Sequence, residues 1–157
     1  MFGQRLGGFP YTVQKEGCAL LSLCYLAWDM GGLPDSAIAG WLPSEVMTAF
    51  EEMRRTGMVA EDCTIEDWDR CMKYLSHGRI EYYGYKSVSE GQEERVVWVE
   101  GGYGVIACYQ VPTHPTHFVV ADNYMIGAVK YDPWPASVSV REGEILSYRV
   151  FRPVRRA

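Results

Sequence analysis

Residues 17 to 30 read Gly-Cys-Ala-Leu-Leu-Ser-Leu-Cys-Tyr-Leu-Ala-Trp-Asp-Met, about four helical turns with almost no polar face. A surface helix pairs an apolar stripe with charged residues. This one is apolar nearly all round, so it belongs at the centre with other elements packed about it. Gly31-Gly32 and Pro34 end it. The chain has the material to enclose such a helix: 157 residues, 48% apolar, suit one domain with a sizeable core and are unlike a disordered segment.

Beyond this helix the chain divides by period. Asp35 to Trp41 suggests a short helical turn. Ser44 can cap a helix through Arg55, with Val46, Met47, Phe50 and Met53 on one side and Gly57 as its stop. Thr64 with Asp67 resembles a capping box for a helix from Ile65 to Leu75, ended by Gly78. The pattern then shortens to that of strands. Ile80 to Tyr85, Val96 to Val99, Val105 to Tyr109, His117 to Tyr124, Ala128 to Tyr131, Val138 to Val140 and Leu146 to Phe151 are rich in Val, Ile, Tyr and Phe and are separated by Gly, Pro or Asp. Gly101-Gly102-Tyr103-Gly104 reads as a turn before a strand, and Asn123 to Gly127 as a hairpin region. Helices first and antiparallel strands second predict an α+β fold.

A net charge of −5 argues against a nucleic-acid partner, and the basic group Arg152, Arg155, Arg156 reads as a solvated tail. No stretch is long and apolar enough to span a bilayer, and the first ten residues lack the apolar core of a signal peptide. A cytoplasmic location at synthesis is expected, with release by lysis or specialised secretion left open. Five cysteines, an odd number without a CxxC pair, fit reduced thiols better than disulfides or a zinc site. With three scattered histidines and no P-loop, GxGxxG or HExxH motif, neither a metal nor a cofactor is expected.

Cys18 stands at the start of the central helix, where unpaired N–H groups and the positive end of the dipole favour thiolate, the nucleophilic form. It is either a core residue or, with a histidine at hand, a reactive one. Cys24, Cys71 and Cys108 fall in elements that should bury them. Cys63 falls in a loop and is expected to be exposed without an activating neighbour. His77 ends a helix, and His114 lies between Pro112 and Pro115. His117 opens the apolar strand His-Phe-Val-Val-Ala-Asp, so it is either a rigidly placed base or a strand-end residue that merely packs. Asp132 precedes a proline, as turn residues commonly do. If strands 117–124 and 128–131 pair as a hairpin, it also lies near His117 and can accept the Nδ1–H bond. Asp122 and Asn123 belong to the far end of that strand.

The ordered set Gln14…Gly17-Cys18, Gly-Tyr-Gly-Val-Ile-Ala-Cys at 102–108, His117-Phe-Val-Val and Asp132-Pro-Trp resembles the C39-like peptidases of the papain-like cysteine peptidase superfamily. The resemblance implies one papain-like α+β domain over 1–157, its N-terminal helices packed on a C-terminal antiparallel sheet. It implies Cys18 as nucleophile, His117 as base, Asp132 as the orienting carboxylate, and Gln14 with the Cys18 N–H as oxyanion donors. Gln14 stands nearer Cys18 than the family's glutamine usually does, so the loop is shortened, or Gln4 or another donor serves. The implied activity is cleavage of a peptide amide through an acyl-enzyme, on a peptide or protein substrate, with Tyr11, Trp41, Tyr103 and Trp134 as candidate cleft aromatics. The alternatives are a peptidoglycan-cleaving lysin or acyl transferase of the same fold, or an inactive peptide-binding module. Residues 34 to 79 match no motif and are expected to shape substrate choice.

Overall fold

The computed structural model describes residues 17–31, 41–111, 114–122, 128–133 and 143–155. The apolar run forms helix α1, Cys18–Gly31. Its first helical bond joins the Leu21 N–H to the Gly17 carbonyl at 2.9 Å, so Gly17 is the cap and Cys18 the first helical residue. Leu20, Leu21, Leu23, Cys24 and Ala27 are fully buried, as an apolar-all-round helix requires.

Helix α2 is Pro43–Arg55. Ser44 lies inside its first turn and does not cap it. Leu42 holds the cap position, Pro43 occupies the first helical position where a missing N–H costs nothing, and Glu45 accepts the Leu42 N–H at 2.8 Å. Helix α3, Trp68–Leu75, starts later than Ile65. Asp67 caps it by accepting the Arg70 N–H at 2.9 Å, while Ile65 is drawn into a bridge with Val59.

Strand β1, Ile80–Ser87, runs directly into helix α4, Val88–Gly101. The expected strand Val96 to Val99 therefore does not exist. Ser87 and Glu90 form a capping box, with the Ser87 Oγ accepting the Glu90 N–H at 3.1 Å and Glu90 Oε1 accepting the Ser87 N–H at 3.0 Å. That start commits the segment to helix, leaving Val96 and Val97 exposed and Trp98 turned inward. Gly102 ends α4 in the left-handed conformation, φ +67°, and strand β2, Gly104–Val111, follows.

Strands β3, His114–Ala121, β4, Val129–Tyr131, and β5, Glu144–Pro153, complete an antiparallel sheet in the order β1-β5-β2-β3-β4. His117 does not open its strand. Strand β3 begins earlier, at His114, and His117 pairs with Tyr109 beside a bulge. Strands β3 and β4 pair as a hairpin, with Val120 opposite Tyr131. The turn at Asp35, the hairpin residues 123–127 and the strand Val138 to Val140 lie outside the described residues.

Helices α1, α2 and α3 share one core with the sheet face that carries Ile80, Ile106, Val120 and Phe151. Helix α4 sits on the other face, where Trp98 packs with Val105 and Val150. The fold is thus α+β, but its helices are not all N-terminal to the sheet. Among the described residues no helix is long and apolar enough to cross a membrane.

Candidate active site

Residues Cys18, Ser22, Tyr25 and Asp29 fall at intervals of four, three and four, on one side of α1. Each meets β3, β4 or the residues that follow them. Ser22 Oγ–H donates to the Phe118 carbonyl at 3.2 Å, although Ser22 is otherwise enclosed in the core. Tyr25 stacks on Tyr131 with ring centroids 4.6 Å apart and planes within 3°. Lys130 Nζ meets Asp29 Oδ2 at 2.6 Å. These contacts fix the position of α1 along the hairpin, and so place its first residue.

At that end, His117 Nε2 is 2.7 Å from Asp132 Oδ1. Asp132 comes directly after Tyr131, so the hairpin brings it to His117, as the sequence suggested. The nitrogen is the other one: Nε2 meets the carboxylate, not Nδ1. The Cys18 thiol lies near enough to the ring to act on its charge. With Nε2 occupied, Nδ1 is the nitrogen left for the thiol. His117 is only 6% exposed. Burial alone would lower its pKa, but the hydrogen bond to Asp132 and the interactions with the Cys18 sulfur and the Asp132 charge outweigh it and raise the pKa to about 9. An imidazolium between two acids is the species the geometry favours.

The N–H groups of Cys18, Ala19 and Leu20 precede the first helical bond and have no carbonyl within the helix. They point outward from the positive end of α1 and can receive a developing negative charge. Gln14 and Gln4 lie outside the described residues, as do Tyr11, Asn123 and Trp134.

A cavity of about 300 Å³ adjoins Cys18, walled by Cys63 and Trp68 on one side and by Thr116, Phe118 and Arg149 on the other. Among the described residues its aromatics are Trp68 and Phe118, not Trp41 or Tyr103. Trp41 instead donates its Nε1–H to the Cys24 carbonyl at 2.7 Å, and Tyr103 packs on Tyr83. Cys63 is buried at 2% exposure, contrary to expectation, because residues 58 to 67 fold back through the Val59–Ile65 bridge. Its φ is +68°.

The remaining candidates stand apart. His77 is exposed at the end of α3 and borders a different cavity with Trp41 and Tyr74. His114 begins β3. Asp122, at the far end of β3, takes an Arg95 Nη2–H on its backbone carbonyl at 3.2 Å. Burial pushes the thiols of Cys24 and Cys108 up and that of Cys71 up to about 12, which keeps them protonated. Among the described residues no group of three or more His, Cys, Asp and Glu side chains is arranged to hold a metal ion.

Four residues near the site drew no attention in the sequence: Ser22, Trp68, Thr116 and Arg149. Ser22 had a signal, since it is the one hydroxyl in the apolar run and lies one turn from Cys18. Arg149 had one too, as a charge flanked by inward-facing Ser147 and Phe151 in a strand. Compared with known proteins, the chain matches no family model, no curated protein and no solved structure.

Proposed function

We propose that this protein is a thiol hydrolase with a papain-like arrangement, of the C39-like peptidase type, that cleaves a peptide amide bond. Cys18 is the nucleophile, His117 the base and later the acid, and Asp132 the residue that orients His117. The observation that carries the reading is that one buried imidazole is hydrogen-bonded to a carboxylate while its charge is coupled to a helix-opening thiol.

The chemistry derives from those contacts. His117 holds the proton taken from the Cys18 Sγ, and the thiolate attacks the carbonyl carbon of the substrate amide. The oxyanion that forms lies at the helix start, where the Cys18 N–H can donate to it, with Gln14 as the second donor the resemblance implies. The tetrahedral intermediate collapses, the carbon–nitrogen bond breaks, and the imidazolium gives its proton to the departing amine. A water molecule then loses a proton to His117 and attacks the thioester, releasing the acid and restoring the thiol. Asp132 keeps Nε2 occupied throughout, so that Nδ1 faces the sulfur and the positive charge is stabilised.

Iodoacetamide followed by mass spectrometry tests the assignment. At neutral pH, Cys18 should be alkylated ahead of the other four cysteines, and His117→Ala should slow it on the order of tenfold or more by removing the base that takes its proton. Labelling that ignores Cys18, or that is unchanged in His117→Ala, would refute the nucleophile.

A further inference from the structure

Strand β5 places Ser147, Arg149 and Phe151 on the sheet face that looks toward α1, and Phe151 there is part of the core. An arginine between them needs a reason. Its guanidinium carbon lies 4.7 Å from the Tyr85 ring centroid, 5.5 Å from that of Trp68 and 5.8 Å from that of Phe118. Nη1 donates to Ser147 Oγ at 2.8 Å, which fixes the rotation of the fork. Aromatic rings hold a guanidinium in place without using its N–H groups, and among the described residues one of its five donors is engaged by a side chain. Among the described residues no carboxylate is paired with it.

The cavity that Arg149 borders is the one beside Cys18. Both Arg149 and Cys18 lie near enough to Cys108 to act on its thiol, which places the two groups in one electrostatic neighbourhood. Among the described residues, the one carboxylate on the cavity wall, Asp62, is already engaged by the Thr64 N–H at 3.0 Å and forms no ion pair with Arg149. About 300 Å³ accommodates one amino-acid side chain and part of a backbone.

We propose that this cavity is a substrate subsite in which Arg149 binds a carboxylate carried by the residue next to the scissile bond. The proposal rests on Cys18 being the nucleophile and adds the substrate class: acidic peptides. Arg149 is a specificity residue, held for bidentate contact by Ser147 and the three rings.

The test compares alkylation of Cys18 by iodoacetate, which carries a carboxylate, and by iodoacetamide, which does not, each relative to free cysteine. The wild type should prefer iodoacetate by about threefold or more at low salt, and the preference should fade near 1 M salt. Arg149→Gln, or Arg149→Met with its stem kept over the rings, should bring the ratio down toward that of free cysteine. A wild-type ratio equal to that of free cysteine, or a preference retained in both variants, overturns the subsite. Absence of Cys18 labelling by iodoacetamide itself would instead refute the nucleophile, so the two failures are distinguishable.

Protection of Cys18 from iodoacetamide then identifies the carboxylate. Ala-Glu-Ala amide outperforming Ala-Gln-Ala amide assigns an acidic side chain, and Ala-Ala-Ala acid outperforming its amide assigns a chain terminus. Equal protection within both pairs overturns the acidic-peptide assignment.

Discussion

At the scale of single residues, the charge on His117 decides what the site can do. An unperturbed imidazole loses its proton near pH 6.5, whereas His117, with Asp132 on Nε2 and Cys18 beside it, holds it to about 9. The pair contributes its full stabilisation below the unfolded value, and that contribution is lost as the pH rises through about 9. Hydrolysis should fall over the same range, since a neutral ring cannot protonate the departing amine. In a proton NMR titration, one of the three histidines should titrate near 9, and Asp132→Asn should lower that midpoint by about one to two pH units. If every histidine titrates near 6.5, the contact is absent in solution. Cys18, His117 and Asp132 were each visible in the sequence. Which ring nitrogen faces which partner was not, because that depends on the approach of two strands and a helix.

At the scale of elements, the site depends on how closely α1 lies against the sheet. Gly104 begins β2 directly under α1, and a Cβ there would come within 2.5 Å of Leu26 Cδ1 and against Met30 Sδ. Leu26 is buried in the core, so it must shift together with Met30, which borders a cavity of about 180 Å³ beside Gly104. Gly104→Ala should destabilise the fold by about 1–3 kcal/mol, read from the urea midpoint with an unchanged slope. A variant as stable as the wild type would show that α1 can lift without penalty. Ser22→Ala removes the buried bond to the Phe118 carbonyl and should cost about 1 kcal/mol, with slower alkylation of Cys18 as the sign that the helix start has shifted. The elements were unequally legible. α1 was evident because its residues leave only burial as a choice. α4 was misread because Val96, Val97 and Val99 look like a strand locally, while its capping box several residues upstream determines the outcome.

At the scale of the whole molecule, the three catalytic candidates come from the start of α1, from β3 and from the residue after β4, with about a hundred residues between the first and second. No local segment holds them together. In urea, the preference of iodoacetamide for Cys18 should therefore vanish in the same transition as tryptophan fluorescence. Selective labelling that outlasts the fluorescence change would mean that the helix start alone activates the thiol.

Residue order alone dictates a central helix, an α+β succession and the residues able to do nucleophilic chemistry, because apolar periodicity and residue type are written into the chain one position at a time. Tertiary packing is what buries Cys63, brings Asp132 to Nε2, and sets Arg149 in a cavity with Cys18. Each of those is a distance between groups far apart in the chain, set by strand register and by how α1 packs. No local pattern carries that information.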